Sequence, residues 1–133
     1  MSNRSESVWD YPRPPRLEPT PRRITIYFDG IKLADTNRAL RVLETSHPPT
    51  YYIPNEDVRT DLLEPRDKRT ICEFKGQARY FTVRSGDKTA PEAVWEYNDP
   101  RPGYEVLAGH LSFYAAAMEA CYVDEERVNP QEG

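Results

Sequence analysis

The chain has 133 residues with 18 basic against 22 acidic side chains, a pI of about 5.3 and a mean hydropathy of −0.83. That length suits one domain burying about two-thirds of its unfolded surface, so a second domain does not fit. The acidic balance offers no general attraction for nucleic acid or an anionic membrane, and no apolar run approaches the ~20 residues that span a bilayer.

Thirteen prolines, nine tyrosines and two methionines describe a turn-rich protein in which aromatic side chains carry much of the burial. The start, Met1 to Glu6, has no hydrophobic segment resembling a signal peptide, and a cytoplasmic location is expected. Two cysteines, Cys72 and Cys121, are too few for a disulfide framework and are expected to be reduced. Together with His47 and His110 they are singly placed, without the CxxC pairs of a structural zinc site, so no metal is expected, and the sequence leaves any other cofactor unknown.

Taken in order, residues 1–21 carry Pro12, Pro14, Pro15, Pro19 and Pro21. These exclude a helix or an inner strand and favour an extended arm, whose two large aromatics, Trp9 and Tyr11, leave two alternatives open, an arm docked on the folded body or a partner chain and an arm free in solvent. A single β domain is expected over 22–124, followed by a polar tail, 125–133. Ile24, Ile26 and Phe28 alternate with Thr25 and Tyr27, the period of a half-buried strand. Asp29-Gly30 predicts a type I′ hairpin turn into a return strand, Ile31 to Ala34. A third strand is expected over 39–44, with Leu40 and Val42 on one face and Leu43 on the other, as in a strand covered on both sides.

Ser46-His47-Pro48-Pro49 breaks regular structure before a short strand at Tyr51 to Ile53, closed by Pro54. Asn55 to Arg59 reads as a helical turn or an Asx turn, and Pro65 to Lys68 as a reverse turn. Strands at Thr70 to Cys72, Ala78 to Arg84 and Ala93 to Tyr97 then recur at about ten-residue spacing, which argues for a sandwich or half-barrel. Tyr104, Leu107 and Leu111 fall at i, i+3 and i+7, predicting one short helix near 103–110. Leu111 to Tyr114 reads equally as extended, and a last strand is expected over 118–123.

The blocks Leu43-Glu44-Thr45, Pro48-Pro49-Thr50-Tyr51-Tyr52-Ile53-Pro54, Asp57-Val58-Arg59, Leu62-Leu63, Cys72-x-x-Lys75-Gly76-x-Ala78-x-Tyr80, Ala93-Val94-Trp95-x-Tyr97-x-x-Pro100 and Phe113-Tyr114 resemble, in order, the family catalogued as domain of unknown function 427. Ser7 to Pro15 looks like the lead-in of its bacterial, particularly actinobacterial, members. The resemblance implies a mainly β, antiparallel fold of the β-tent kind, with two sheets leaning together over a pocket. Some β-tent relatives hold zinc through cysteine pairs, which this chain lacks. The family is sometimes labelled nucleotidyltransferase-like. That chemistry needs a Gly-Ser element and closely spaced metal-binding carboxylates, and neither occurs here.

The chemistry-bearing residues gather around Cys72 to Tyr80. An ammonium from Lys75 near Cys72 lowers a thiol's pKa and makes Cys72 the candidate nucleophile, whereas a buried cysteine beside a turn needs no function. Gly76 lets backbone approach a ligand, and Lys75 offers a point charge to a phosphate or carboxylate. Tyr52, Tyr80, Trp95 and Tyr97 can stack on a planar or sugar-like ligand, or pair across strands in a small core. Trp95 and Tyr97 are two apart and face the same side. Glu44, Asp57 and Arg59 are the remaining charged candidates, as acid, base or anion clamp, with a cap and its ion-pair partner as the plainer account of the last two. His47 and His110 read as surface and structural histidines.

Three functions stay open on these grounds. The first is a binding module for a small polar or anionic ligand. The second is an enzyme using Cys72 or acting on a nucleotide. The third is a protein-interaction or homo-oligomeric module using the Trp9-Tyr11 arm.

Overall fold

A computed structural model describes residues 16–43, 50–72 and 74–128, among which eleven strands form two open antiparallel sheets. In chain order the strands are β1 (Arg16–Pro19), β2 (Ile24–Phe28), β3 (Ile31–Thr36), β4 (Leu40–Leu43), β5 (Thr50–Pro54), β6 (Leu63–Cys72), β7 (Gly76–Ser85), β8 (Lys88–Pro100), β9 (His110–Phe113), β10 (Ala120–Val123) and β11 (Glu126–Arg127). The larger sheet has the order β1-β4-β5-β9-β8-β7-β6 and the smaller β11-β10-β2-β3. No helix among the described residues is long and apolar enough to cross a membrane.

The smaller sheet follows from its sequence pattern. Asp29 and Gly30 take φ of 54° and 74°, the positive values that a type I′ turn demands and that Asp and Gly tolerate better than other residues. The turn sets β2 against β3 so that Ile24, Ile26 and Phe28 are all buried. Each buried side chain of this kind contributes about 1.5–3 kcal/mol. On the outer face, Tyr27 meets Tyr122 of β10 edge-on at 6.0 Å.

Period-two alternation in the larger sheet divides its side chains between two cores. Ile53, Val83, Val94 and Leu111 pack with Ile24, Ile26, Phe28 and Leu33 in the core that joins the sheets. Their strand neighbours Tyr52, Tyr80 and Tyr97 face the other way, with Leu40, Val42, Tyr104 and Leu107. Adjacent residues Tyr52 and Ile53 therefore serve different cores, both 1% exposed. A β-bulge resets the phase of β8, where Glu92 takes φ of 52° and its N–H donates to Thr82 Oγ1 at 3.1 Å, so that Ala93 and Val94 both join the shared core.

Several elements differ from the sequence reading. The expected turn at Pro65 to Lys68 lies inside β6, whose register with β7 shifts between Pro65 and Arg69. This strand is the sheet edge, where proline's missing donor faces outward and a bulge absorbs the irregularity. The expected two-turn helix is a single 3-10 turn, Glu105–Leu107. It ends at Ala108, and Gly109, at φ 82°, leads into β9 with Leu111. Ala115–Ala117 is likewise a 3-10 turn, and the last strand of the expected domain starts at Ala120. The end of the proline-rich segment supplies edge strand β1 against β4, so β4 is flanked on both sides. In the polar tail, Glu126–Arg127 pairs with β10 and Val128 packs on the shared core.

Candidate functional site

The β6–β7 hairpin closes with Cys72 opposite Gly76. Gly76 stands at φ 117°, and a Cβ there would lie 3.3 Å from both Arg101 N and Asp99 O, so only glycine lets the end of β8 come this close. The Arg101 N–H donates to Lys75 O at 2.9 Å, which anchors the loop to the chain beyond β8. This anchoring turns Lys75 inward: it is 6% exposed, with Nζ 5.9 Å from the centroid of the Tyr97 ring. An ammonium loses much of its hydration on burial, and an aromatic face and hydrogen-bonding groups are what offset that cost.

The larger sheet brings the four aromatic candidates together beside Lys75. Tyr52 meets Trp95 edge-on, at 6.5 Å and 89°, and lies 6.2 Å from Tyr97. Tyr80 lies 6.5 Å from Trp95, while its hydroxyl shares a 2.8 Å hydrogen bond with Thr70 Oγ1. Trp95 and Tyr97 belong to the same cluster, as their spacing on β8 predicts. Burial above all, with Tyr52, Cys72 and Tyr80 close by, pushes the Tyr97 hydroxyl well above the ordinary tyrosine range, so it stays protonated at neutral pH and keeps a proton to donate. The half-buried Cys72 packs against the same cluster.

Other candidates lie elsewhere. Asp57 accepts a 2.7 Å hydrogen bond from Thr36 Oγ1 and pairs with Arg38 at 3.2 Å. The exposed Arg59 forms a two-point pair with Asp61, at 2.9 and 2.8 Å, and its N–H donates to Leu33 O. Asp57 and Arg59 flank Val58, which bridges Ala34 of β3 in the smaller sheet, and Arg59 takes Asp61 rather than Asp57 as its ion-pair partner. His110 turns Nδ1 toward Ala108 O at 3.2 Å. Glu44, His47 and the Trp9-Tyr11 arm lie outside the described residues.

Four residues of this neighbourhood escaped the sequence reading. Tyr104, buried ahead of the 3-10 turn, belongs to the cluster. Its place in an apolar i, i+3, i+7 series signalled burial, but not which face it would cover. Lys68 holds its Nζ 4.5 Å from the Tyr80 centroid, Thr70 bonds the Tyr80 hydroxyl, and Tyr114 packs on Trp95 at 4.5 Å. These three contacts depend on strand register, which local pattern does not carry.

The arrangement offers a buried lysine, phenol hydroxyls and aromatic faces. These are means of recognition for a polar or anionic, partly planar molecule. Among the described residues no group of three or more His, Cys, Asp or Glu side chains is placed to hold a metal ion. No curated protein matches the chain. Residues 16–124 match the model of the family described as Domain of unknown function (DUF427). That span runs from β1 through the last strand of the shared core and includes Cys72, Lys75, Gly76 and all four aromatic candidates, and the chain belongs to the DUF427 family.

Proposed function

We propose that the protein is a binding module for a small polar or anionic molecule, held at the inward turn of the β6–β7 hairpin. Lys75 supplies the charge, Gly76 admits backbone approach, and Tyr52, Tyr80, Trp95 and Tyr97 form the walls. The observation that carries this reading is the burial of Lys75, with its Nζ 5.9 Å from the ring of Tyr97. A lysine needed only for solubility stays at the surface, because burying its charge costs several kcal/mol without compensation. Cys72 borders the same cluster and in this reading is a wall of the site rather than a nucleophile.

Native mass spectrometry of the protein purified from its own cells, with identification of what denaturation releases, tests the proposal. The expected result is a stoichiometric polar or anionic small molecule in the wild type that is absent from Lys75→Ala, with the variant's stability within about 1.5 kcal/mol of wild type, inside the range of ordinary point mutations. An empty wild-type protein, or a Lys75→Ala variant that loses folding along with the ligand, overturns it and returns Lys75 to a structural role.

A further inference from the structure

The two sheets enclose a second feature that the Lys75 cluster does not use. β9 pairs with β5 only through Leu111 and His110, and with β8 only through Phe113 and Ser112. Past Phe113 one further backbone bond reaches β8, from Tyr114 N–H to Ala93 O at 2.9 Å, and on the β5 side the Ser112 hydroxyl donates to Tyr51 O at 2.9 Å. Beside this join a cleft of about 280 Å³ opens, lined from the larger sheet and from strands β2 and β10.

Five aromatic rings line this cleft: Tyr51, Trp95, Phe113, Tyr114 and Tyr122. The remaining walls are aliphatic apart from Thr50 and Cys121, and no lining side chain carries a formal charge. Burial holds the Cys121 thiol up at about 11 and raises the Tyr114 hydroxyl, so both stay neutral near pH 7. An ion entering here would lose hydration without meeting an opposite charge. Water between such walls finds few hydrogen-bond partners. A neutral ring system loses little on entry and gains edge and face contacts with the aromatic lining. The volume lies just below the ~300–1,000 Å³ of drug-sized sites, which limits the occupant to one or two rings.

We propose that this cleft is a separate binding site for a small, uncharged aromatic molecule. It rests on the cleft and its uncharged, aromatic lining, not on Lys75. Trp95 and Tyr114 connect it to the other site: Trp95 has Tyr52 and Tyr80 in one of its surroundings and Tyr51 and Tyr114 in the other, and the Tyr114 hydroxyl also bonds Tyr80.

Indole serves as the neutral probe and indole-3-acetate as its charged counterpart, each titrated into the full-length protein and followed by methyl NMR. Indole is expected to give saturable shifts at the Ile24, Ile26, Ile53 and Val123 methyls. Indole-3-acetate should bind at least about tenfold more weakly, the factor that one unpaired polar burial of about 1.4 kcal/mol gives. Val123→Phe, which narrows the cleft, should weaken indole by a similar factor, whereas Lys75→Ala should leave it unchanged. Absence of saturable shifts at those methyls in the wild type, or equal affinity for the anion, overturns the proposal even if Val123→Phe fails to fold. Indole binding that appears only in Trp9→Ala overturns it too, because the chain's own arm would then be the occupant.

Discussion

Ser85 Oγ donates a 3.0 Å hydrogen bond to Asp29 Oδ2 across 56 positions of sequence. Asp29 sits in the β2–β3 turn of the smaller sheet, and Ser85 ends β7 in the larger, so this bond joins the turn ends of two hairpins from different sheets. Asp29 thus has two tasks, adopting φ of 54° and accepting the serine proton. Asp29→Gly keeps the turn and loses the bond, which should cost about 1 kcal/mol. Asp29→Ala adds the left-handed penalty of about 1–2 kcal/mol. Urea unfolding of the pair separates the two effects: equal losses would show that the left-handed strain contributes nothing, and an Asp29→Gly variant as stable as wild type would show the same of the bond.

Gly76 should be the least replaceable residue of the candidate site. An alanine there is strained at φ 117° and its Cβ meets backbone atoms, not a yielding side chain, at 3.3 Å. We expect Gly76→Ala to destabilise the fold by about 2–3 kcal/mol, compared with a few tenths for Gly86→Ala, whose Cβ would meet nothing within 4 Å, plus its own turn penalty of about 1 kcal/mol. Thermal melts of both variants are sufficient, and a smaller loss at Gly76 would show that the end of β8 can move aside.

Acid stability should depend on Asp35. The Arg23 guanidinium, hydrogen-bonded to it at 2.9 and 2.8 Å, holds the carboxyl at about 2 against an ordinary 3.8. Because the folded value is the lower one, the stabilisation is present above pH 3.8 and is lost as pH falls toward 2. The pair is partly open to solvent, and screening reduces the contribution to about 1 kcal/mol. Asp35→Asn should therefore flatten the loss of stability between pH 4 and 2, as measured by denaturant midpoints. An unchanged slope would remove Asp35 from the account.

The two thiols should separate cleanly in native labelling. Cys121 is 9% exposed and raised to about 11 by burial, so near pH 7 it is neutral and shielded, and it should react with a disulfide reagent only as fast as the protein opens. Cys72, half-buried at the hairpin end, should react first. Mass mapping of the labelled peptide decides this. A Cys72 that also slows on Lys75→Ala would restore an activated thiol, and with it the enzyme reading, to consideration.

Much of the fold was legible because short-range chemistry governed it. Asp29-Gly30 permits few turns besides the one observed, and the alternation of Ile24, Ile26 and Phe28 leaves one face to bury. Leu40 and Val42 against Leu43 foretold a strand covered on both sides, and all three are buried. Pro65 misled because proline is disallowed only in an inner strand, and a sequence does not state which strand is the edge. Tyr104, Leu107 and Leu111 misled because a helical spacing of three apolar residues costs nothing to satisfy by chance, and the 3-10 turn ends at Ala108, between the last two.

The site divides along the same line. From the sequence alone Lys75 and Gly76 are paired as chain neighbours, and Trp95 and Tyr97 as residues on one strand face. Only the tertiary structure could turn Lys75 inward, by fastening its carbonyl to Arg101, and only strand order could seat Tyr52 from β5 against β8 while leaving Arg59 outside with Asp61. Those outcomes depend on which strands lie side by side and in what register, and a contact between residues dozens of positions apart is decided by the burial of the whole sheet rather than by either residue.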